Sequence, residues 1–141
     1  MLAADDDRDS RQLGVIDHRG NAASFTGAKC NAWAGAVKGR LYSAQGNILA
    51  GEDVVKKMVA SFSESKGELG DRLIAALQAG QDAGGDIRGM QSAALLIVRE
   101  GWGYGGYNDR YRDLRVDDHA EPIRELKRVY DLHRKIFPKP N

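Results

Sequence analysis

The sequence predicts an α+β fold, a mainly antiparallel sheet carrying amphipathic helices, in the order β-β-β-α-α-β-β-α. Three observations lead there. Two short apolar runs flank a Gly-Asn turn near the start, as in a β-hairpin. Two stretches in the middle repeat apolar residues at helical spacing. An unbroken apolar run, Ala93 to Val98, precedes a segment in which charged and apolar residues alternate. Strands joined as hairpins, with helices inserted between them, build antiparallel sheet covered by helices.

The hairpin is read as Gln12 to Asp17, a turn at His18 to Asn21, and Ala22 to Thr26 returning. A third strand is predicted at Leu41 to Ala44, with Gln45-Gly46-Asn47 breaking it. Glu52 and Asp53 put negative charge in a first helical turn, where the helix dipole favours it, and Val54, Val55, Met58, Val59 and Phe62 follow at helical spacing. Leu69, Leu73, Ala76 and Leu77 mark a second helix that ends at Gly80 or at Gly84-Gly85. Gln91 to Arg99 is the strongest strand, and its continuous apolar centre predicts burial on both faces. Arg112 to Val116 alternates as a half-buried strand does, after a glycine-rich turn from Gly101 to Gly106. The last helix begins near Pro122, with a single seam of Ile123, Leu126, Tyr130, His133 and Phe137. The expected organisation is a frayed start over 1–10, one α+β domain over 11–137 and a tail over 138–141. The acidic run Asp5 to Asp9 reads as part of that solvated start, ahead of the other reading, a metal-binding carboxylate cluster, because nothing folds these side chains around a common centre.

Composition narrows the function classes. The chain has 141 residues, 21 Lys and Arg against 20 Asp and Glu, and a net charge of +1. A protein that neutralises phosphates shows a basic excess, so no nucleic-acid partner is expected. A hydrophobic fraction of 42% is that of a folded chain. The longest apolar run is far short of a membrane span, so no membrane partner is expected. The opening has neither a basic nor an apolar region, so no signal peptide is expected and the cytoplasm is the default location. One cysteine, Cys30, and three scattered histidines give no metal-ligand spacing, and no metal or cofactor is called for.

Several residues carry two readings. Asn47, after Gln45-Gly46, reads from the residues as a turn former. Asp86 and Arg88, between glycines, orient a substrate carboxylate or simply pair with each other. Cys30, beside Lys29, is a lowered-pKa nucleophile or, more in keeping with lone cysteines, a small buried hydrophobe. Ser92 reads as a buried hydroxyl bonding to backbone at the start of the strong strand. Asp117-Asp118-His119 is an oriented base or one arm of a metal site, and the residue order favours a carboxylate cap on the last helix. His18 is expected in solvent and His133 at a core edge. Trp102, Tyr104, Tyr107 and Tyr111 form an aromatic binding surface or loop packing. The glycine-rich run around them matches no phosphate-binding pattern and reads as a flexible hairpin tip.

Five blocks in order carry a family resemblance: Arg11 to Asp17, Phe25 to Gly35, Gln45 to Gly51, Gly84 to Arg99 and Tyr107 to His119. Together they resemble a bacterial and archaeal family, the domain of unknown function DUF1028, grouped with the N-terminal-nucleophile (Ntn) hydrolases. The resemblance runs from about Leu2 to about His133 and covers the later part of the family's domain. It implies a four-layer αββα sandwich of which this chain is a C-terminal fragment, and a parent that hydrolyses C–N (amide) bonds. Such enzymes use the side chain of a first Thr, Ser or Cys as nucleophile and the α-amine as base, because that amine titrates near neutrality. This chain opens Met1-Leu2, so it is expected to be inactive alone. Among its residues Asn47, Asp86 and Arg88 are the candidates for the site, and the resemblance implies for Asn47 a second reading beside the turn, a donor to the oxyanion of the tetrahedral intermediate. The alternative is a non-catalytic assembly or small-molecule-binding module of the same fold. Missing strands would leave an open edge on the Gln12 to Thr26 hairpin and an uncovered apolar face. A homo-oligomer is therefore expected, with a complementary N-terminal segment as the other candidate partner.

Overall fold

Turn chemistry sets the first hairpin. The Asp17 carboxylate accepts the backbone N–H groups of Arg19 and Asn21 and the Asn21 side-chain amide, closing the turn locally. In this computed structural model, which describes residues 2–139, β1 (Gln12–Ile16) and β2 (Ala22–Thr26) then pair antiparallel from Gln12 opposite Thr26 to Ile16 opposite Ala22. Met1 and the end of the expected tail, Pro140 and Asn141, lie outside the described residues. Residues before β1 form two 3-10 turns, Leu2–Ala4 and Arg8–Ser10, and the Lys29 amide donates to the Asp9 carbonyl.

A second hairpin follows that the sequence does not announce. β3 (Gly35–Gly39) pairs with β4 (Tyr42–Gly46) across the two residues Arg40 and Leu41. The element order is therefore β-β-β-β-α-α-β-β-α, one strand more than expected, and β4 runs through Gln45 and Gly46, where the sequence predicts a break. Gly-Ala-Val-Lys-Gly has neither alternation nor bulk, so only its partner strand makes it a strand. Leu41, expected in the strand, sits in the turn at φ 72°.

The two hairpins pack on each other, β2 on β3 and β1 on β4. Gln12 ties them: its Nε2 donates to Thr26 Oγ1 (3.1 Å) and to the carbonyls of Gly35 (3.3 Å) and Gly46 (2.7 Å). A Cβ on Gly14 would meet the end of the Gln45 side chain, which would have to swing aside to admit it. The hairpin tips also meet, with the Leu41 amide donating to the Gly20 carbonyl.

α1 (Glu52–Glu64) and α2 (Leu69–Asp82) form where the periodicity places them and pack against each other. β5 (Ala93–Val98), β6 (Arg110–Val116) and α3 (Pro122–Ile136) complete the chain. The fold is mixed α+β: three two-stranded antiparallel sheets and three helices among the described residues, rather than one continuous sheet. The principal core lies between β5–β6 and helices α2 and α3, and consists of Ile74, Leu95, Leu114, Val116, Leu126 and Tyr130. Register explains its composition, since Leu95 faces Leu114 and Ala93 faces Val116 on one side of the ribbon.

The opposite side of β5 corrects the expectation of burial on both faces. Leu96 is 56% exposed and Val98 61% exposed. Two strands offer two faces, and the described helices cover only one of them. The other face borders an apolar groove of about 620 Å³ that runs between β1, β4, the sides of α1 and α2, and β5. No helix among the described residues is long and apolar enough to cross a membrane.

Candidate functional site

Three of the sequence blocks meet at the end of β4. The segment 47–50 is clamped on one side by 31–33 and on the other by 85–87. The Ile48 amide donates to the Asn31 carbonyl, and Trp33 and Leu49 exchange backbone hydrogen bonds. On the far side Ala50 donates to Gly85, and Ile87 donates to the Ile48 carbonyl at 3.0 Å. This double clamp holds Ile48 at φ 61°, a conformation costly for a β-branched residue. Beside it, Asn47 Oδ1 is buried with no hydrogen-bond partner among the described residues. The unpartnered atom is the amide oxygen, an acceptor, and it lies next to the strained Ile48 backbone.

Asp86 and Arg88 lie on the neighbouring loop and pair with each other. The Arg88 Nη2 and Nε donate to the Asp86 carboxylate at 2.6 and 2.9 Å, and the Arg88 amide donates to it as well. Those bonds hold the Asp86 carboxyl at about 2, so it is no base near neutral pH. The guanidinium is occupied in turn, although Arg88 itself stays largely in solvent. Backbone contacts thus bring the Asp86 loop beside the Asn47 loop, while the side chains of Asp86 and Arg88 turn to one another.

The other candidates disperse. The Cys30 thiol is half-buried and donates to the Arg11 carbonyl at 3.4 Å, so its one donor is already directed at backbone. Ser92 is exposed and precedes β5, not a buried hydroxyl within the strand. The expected carboxylate cap on α3 is absent: Asp117 pairs with Arg115, and Asp118 accepts the Gln91 side chain. The Glu121 amide instead donates to His119 Nδ1 at 2.9 Å. Pro122 stands at the first turn of α3, where its missing N–H leaves no donor orphaned. His18 is exposed in its turn. No group of three or more His, Cys, Asp or Glu among the described residues is arranged to hold a metal.

Sequence reasoning missed Arg112. It is 1% exposed, inside the alternating strand β6, where charge at that position reads as solvent-facing. The one available signal is its phase: Arg112, Leu114 and Val116 share a face.

A family model described as a family of unknown function (DUF1028) matches residues 1–126. The crystal structure of a protein from Silicibacter pomeroyi, assigned to the same family model, superposes with a TM-score of 0.82 at 32% sequence identity, over 94% of this chain and 56% of that one. The chain therefore spans little more than half the length of that protein. No curated protein matches.

Proposed function

We propose a function from one premise: the chain belongs to the family of unknown function DUF1028. In our reading it is one part of a larger Ntn-hydrolase-like αββα sandwich, its parent hydrolyses an amide C–N bond, and this part is inert by itself. The observation that carries the reading is the 620 Å³ groove, walled by the outer edge of β1, the bare face of β5 and the apolar sides of α1 and α2. Strand edges and apolar faces in one cleft call for added strands. The matched Silicibacter pomeroyi protein has a remaining portion from which an equivalent would come. The occupant we assign to the groove is that complementary segment. In its absence a second copy of the chain covers the same surfaces, giving a homodimer or a higher even-numbered oligomer.

The chemistry assigned to the Asn47 loop is oxyanion stabilisation. A hydroxyl or thiol carried by the complementary segment attacks the amide carbonyl, and the proton passes to the α-amine beside it. The Asn47 side-chain amide donates to the oxygen as it becomes negative. The C–N bond then breaks, the amine leaves with the proton, and water releases the acyl group. The bonds that fix Ile48 to Ala50 support this role by steadying the loop from which Asn47 projects, since a preorganised donor needs less reorganisation as charge develops.

The test mixes the chain with the family's complementary segment and a panel of amide and γ-glutamyl substrates. Expected are no turnover by the chain alone, turnover by the mixture, and a loss of about 10²- to 10³-fold in kcat for Asn47→Ala. Turnover by the isolated chain that survives Cys30→Ala overturns the reading. Light scattering at micromolar concentration is expected to show an oligomer alone and its dissociation by the segment. A well-folded monomer alone would mean the groove needs no cover. A mixture that assembles but turns nothing over favours the alternative, a non-catalytic assembly or binding module, to which the mutually neutralised Asp86–Arg88 pair already lends weight.

A further inference from the structure

A second cavity, independent of that reading, lies at the opposite end of the β5–β6 ribbon. It measures about 440 Å³, within the range of small-molecule sites, and lies between the glycine-rich loop, β6 and the end of α3. Among the described residues its lining includes Arg110, Arg112 and His133 and no carboxylate. Aromatic rings make its walls. Trp102 meets Tyr111 edge to face at 4.9 Å, and Tyr104 meets Phe137 likewise at 5.7 Å.

Arg112 is the unusual member. The pairing of β5 with β6 shifts between Val98, opposite Arg110, and Ile97, opposite Arg112, so Tyr111 is an extra residue in a bulge. Bulges re-aim side chains, and this one lets neighbours in sequence reach the same cavity. The Arg112 guanidinium lies 3.8 Å over the Tyr111 ring and donates through Nη2 to its hydroxyl at 2.7 Å. Nη1 donates to the Phe137 carbonyl (2.9 Å) at the end of α3 and meets His133 Nδ1 at 3.2 Å. Arginine has no acceptor, so Nδ1 must be the unprotonated nitrogen of a neutral imidazole.

None of these partners is an anion. Arg112 forms no ion pair among the described residues, and its Nε is buried with no hydrogen-bond partner. Glu68 accepts the Tyr130 hydroxyl instead. Arg110 differs in being paired with Asp113. The end of α3 offers about half a negative charge, too little for a full cation. A guanidinium buried this completely is ordinarily matched by a carboxylate or phosphate.

We propose that this cavity binds a small organic carboxylate with a flat apolar body, its charge matched by Arg112 and its body held by Trp102, Tyr104 and Phe137. A carboxylate fits the planar fork of the guanidinium, and the ring walls favour a flat partner over a compact hydrated ion.

Benzoate, benzamide and inorganic phosphate titrated into the ¹⁵N-labelled full chain test it. Benzoate is expected to shift the amide signals of Trp102 to Gly105 and of Arg110 to Arg112. Benzamide, the same ring without the charge, is expected to bind at least about tenfold more weakly. Arg112→Gln is expected to remove the difference between the two. Should that variant fail to fold, Tyr104→Ala replaces it, since Tyr104 is 76% exposed, and benzoate is expected to weaken about fivefold or more. Equal binding of benzoate and benzamide, no shifts at these residues, or indifference to Tyr104→Ala each overturns the proposal. Phosphate binding as tightly as benzoate overturns the requirement for a flat body.

Discussion

The two ends of this chain are built from the same unit, an antiparallel hairpin, and are stabilised in different ways. The β5–β6 ribbon lays one face on α2 and α3, and Leu95, Leu114 and Val116 are each at most 8% exposed there. In β1 to β4 no strand residue is fully buried. That pair of hairpins is held by the Gln12 side chain, by close glycine approach and by α1, whose Val54 and Val55 are buried. A two-stranded hairpin alone is marginal in water, so each pair depends on what it is packed against. The lesson is that helices of the same chain close one face of the β5–β6 ribbon, whereas no strand of β1 to β4 has a residue closed in that way.

The largest break in that comparison is a core truncation. Leu126→Ala, at a fully buried position on α3, is expected to cost about 2–5 kcal/mol, whereas Val15→Ala, 47% exposed on β1, is expected to stay within about 0.5 kcal/mol. Denaturant melts of the two variants check this, and similar losses would mean that the hairpins carry as much of the stability as the core. Leu96→Asp sharpens the same point on one strand. It is expected to fold, because its side chain faces the groove, and to weaken self-association, because it places a charge there. A variant that unfolds would show β5 to be buried on both faces after all. Gln12→Ala is expected to cost about 1 kcal/mol, the worth of its bonds between the hairpins, and to speed amide exchange in β1 and β4 while leaving β5 and β6 unchanged.

The smallest effect concerns acid. Burial, and then the charge of Arg112, lower the His133 pKa from the ordinary 6.5. The folded state thus binds a proton less readily than the unfolded chain. Stability from the neutral imidazole is complete above pH 6.5 and is lost as pH falls through the lowered folded value. The melting temperature of the parent is expected to drop over that interval more than that of His133→Gln. Equal slopes would place the acid sensitivity elsewhere.

The candidate site was partly legible. Asn47, Asp86 and Arg88 stood out because each sits against glycine, and glycine marks unusual backbone. That 31–33, 47–50 and 85–87 would form one clamp was invisible, because the pairing links segments far apart in the chain. Nor did the residues tell whether Asp86 and Arg88 would face a ligand or each other. Arg112 was hidden for a related reason: alternation says that a strand has two faces, not which one a neighbouring helix will cover.

Local chemistry was enough to determine most element boundaries. The Asp17 turn set the first hairpin, the spacing from Val54 to Phe62 and from Leu69 to Leu77 set two helices, and Pro122 set the start of the third. These depend on contacts within a few residues, which the order of residues encodes directly. Tertiary structure alone decided that Gly35 to Gly39 is a strand, that Leu96 looks into a groove while Leu95 is buried, and that a bulge turns Tyr111 and Arg112 toward one cavity. Each of those outcomes is set by which distant surface arrives to bury a face or complete a ladder, and burial is a property of the pair of surfaces, not of either sequence segment.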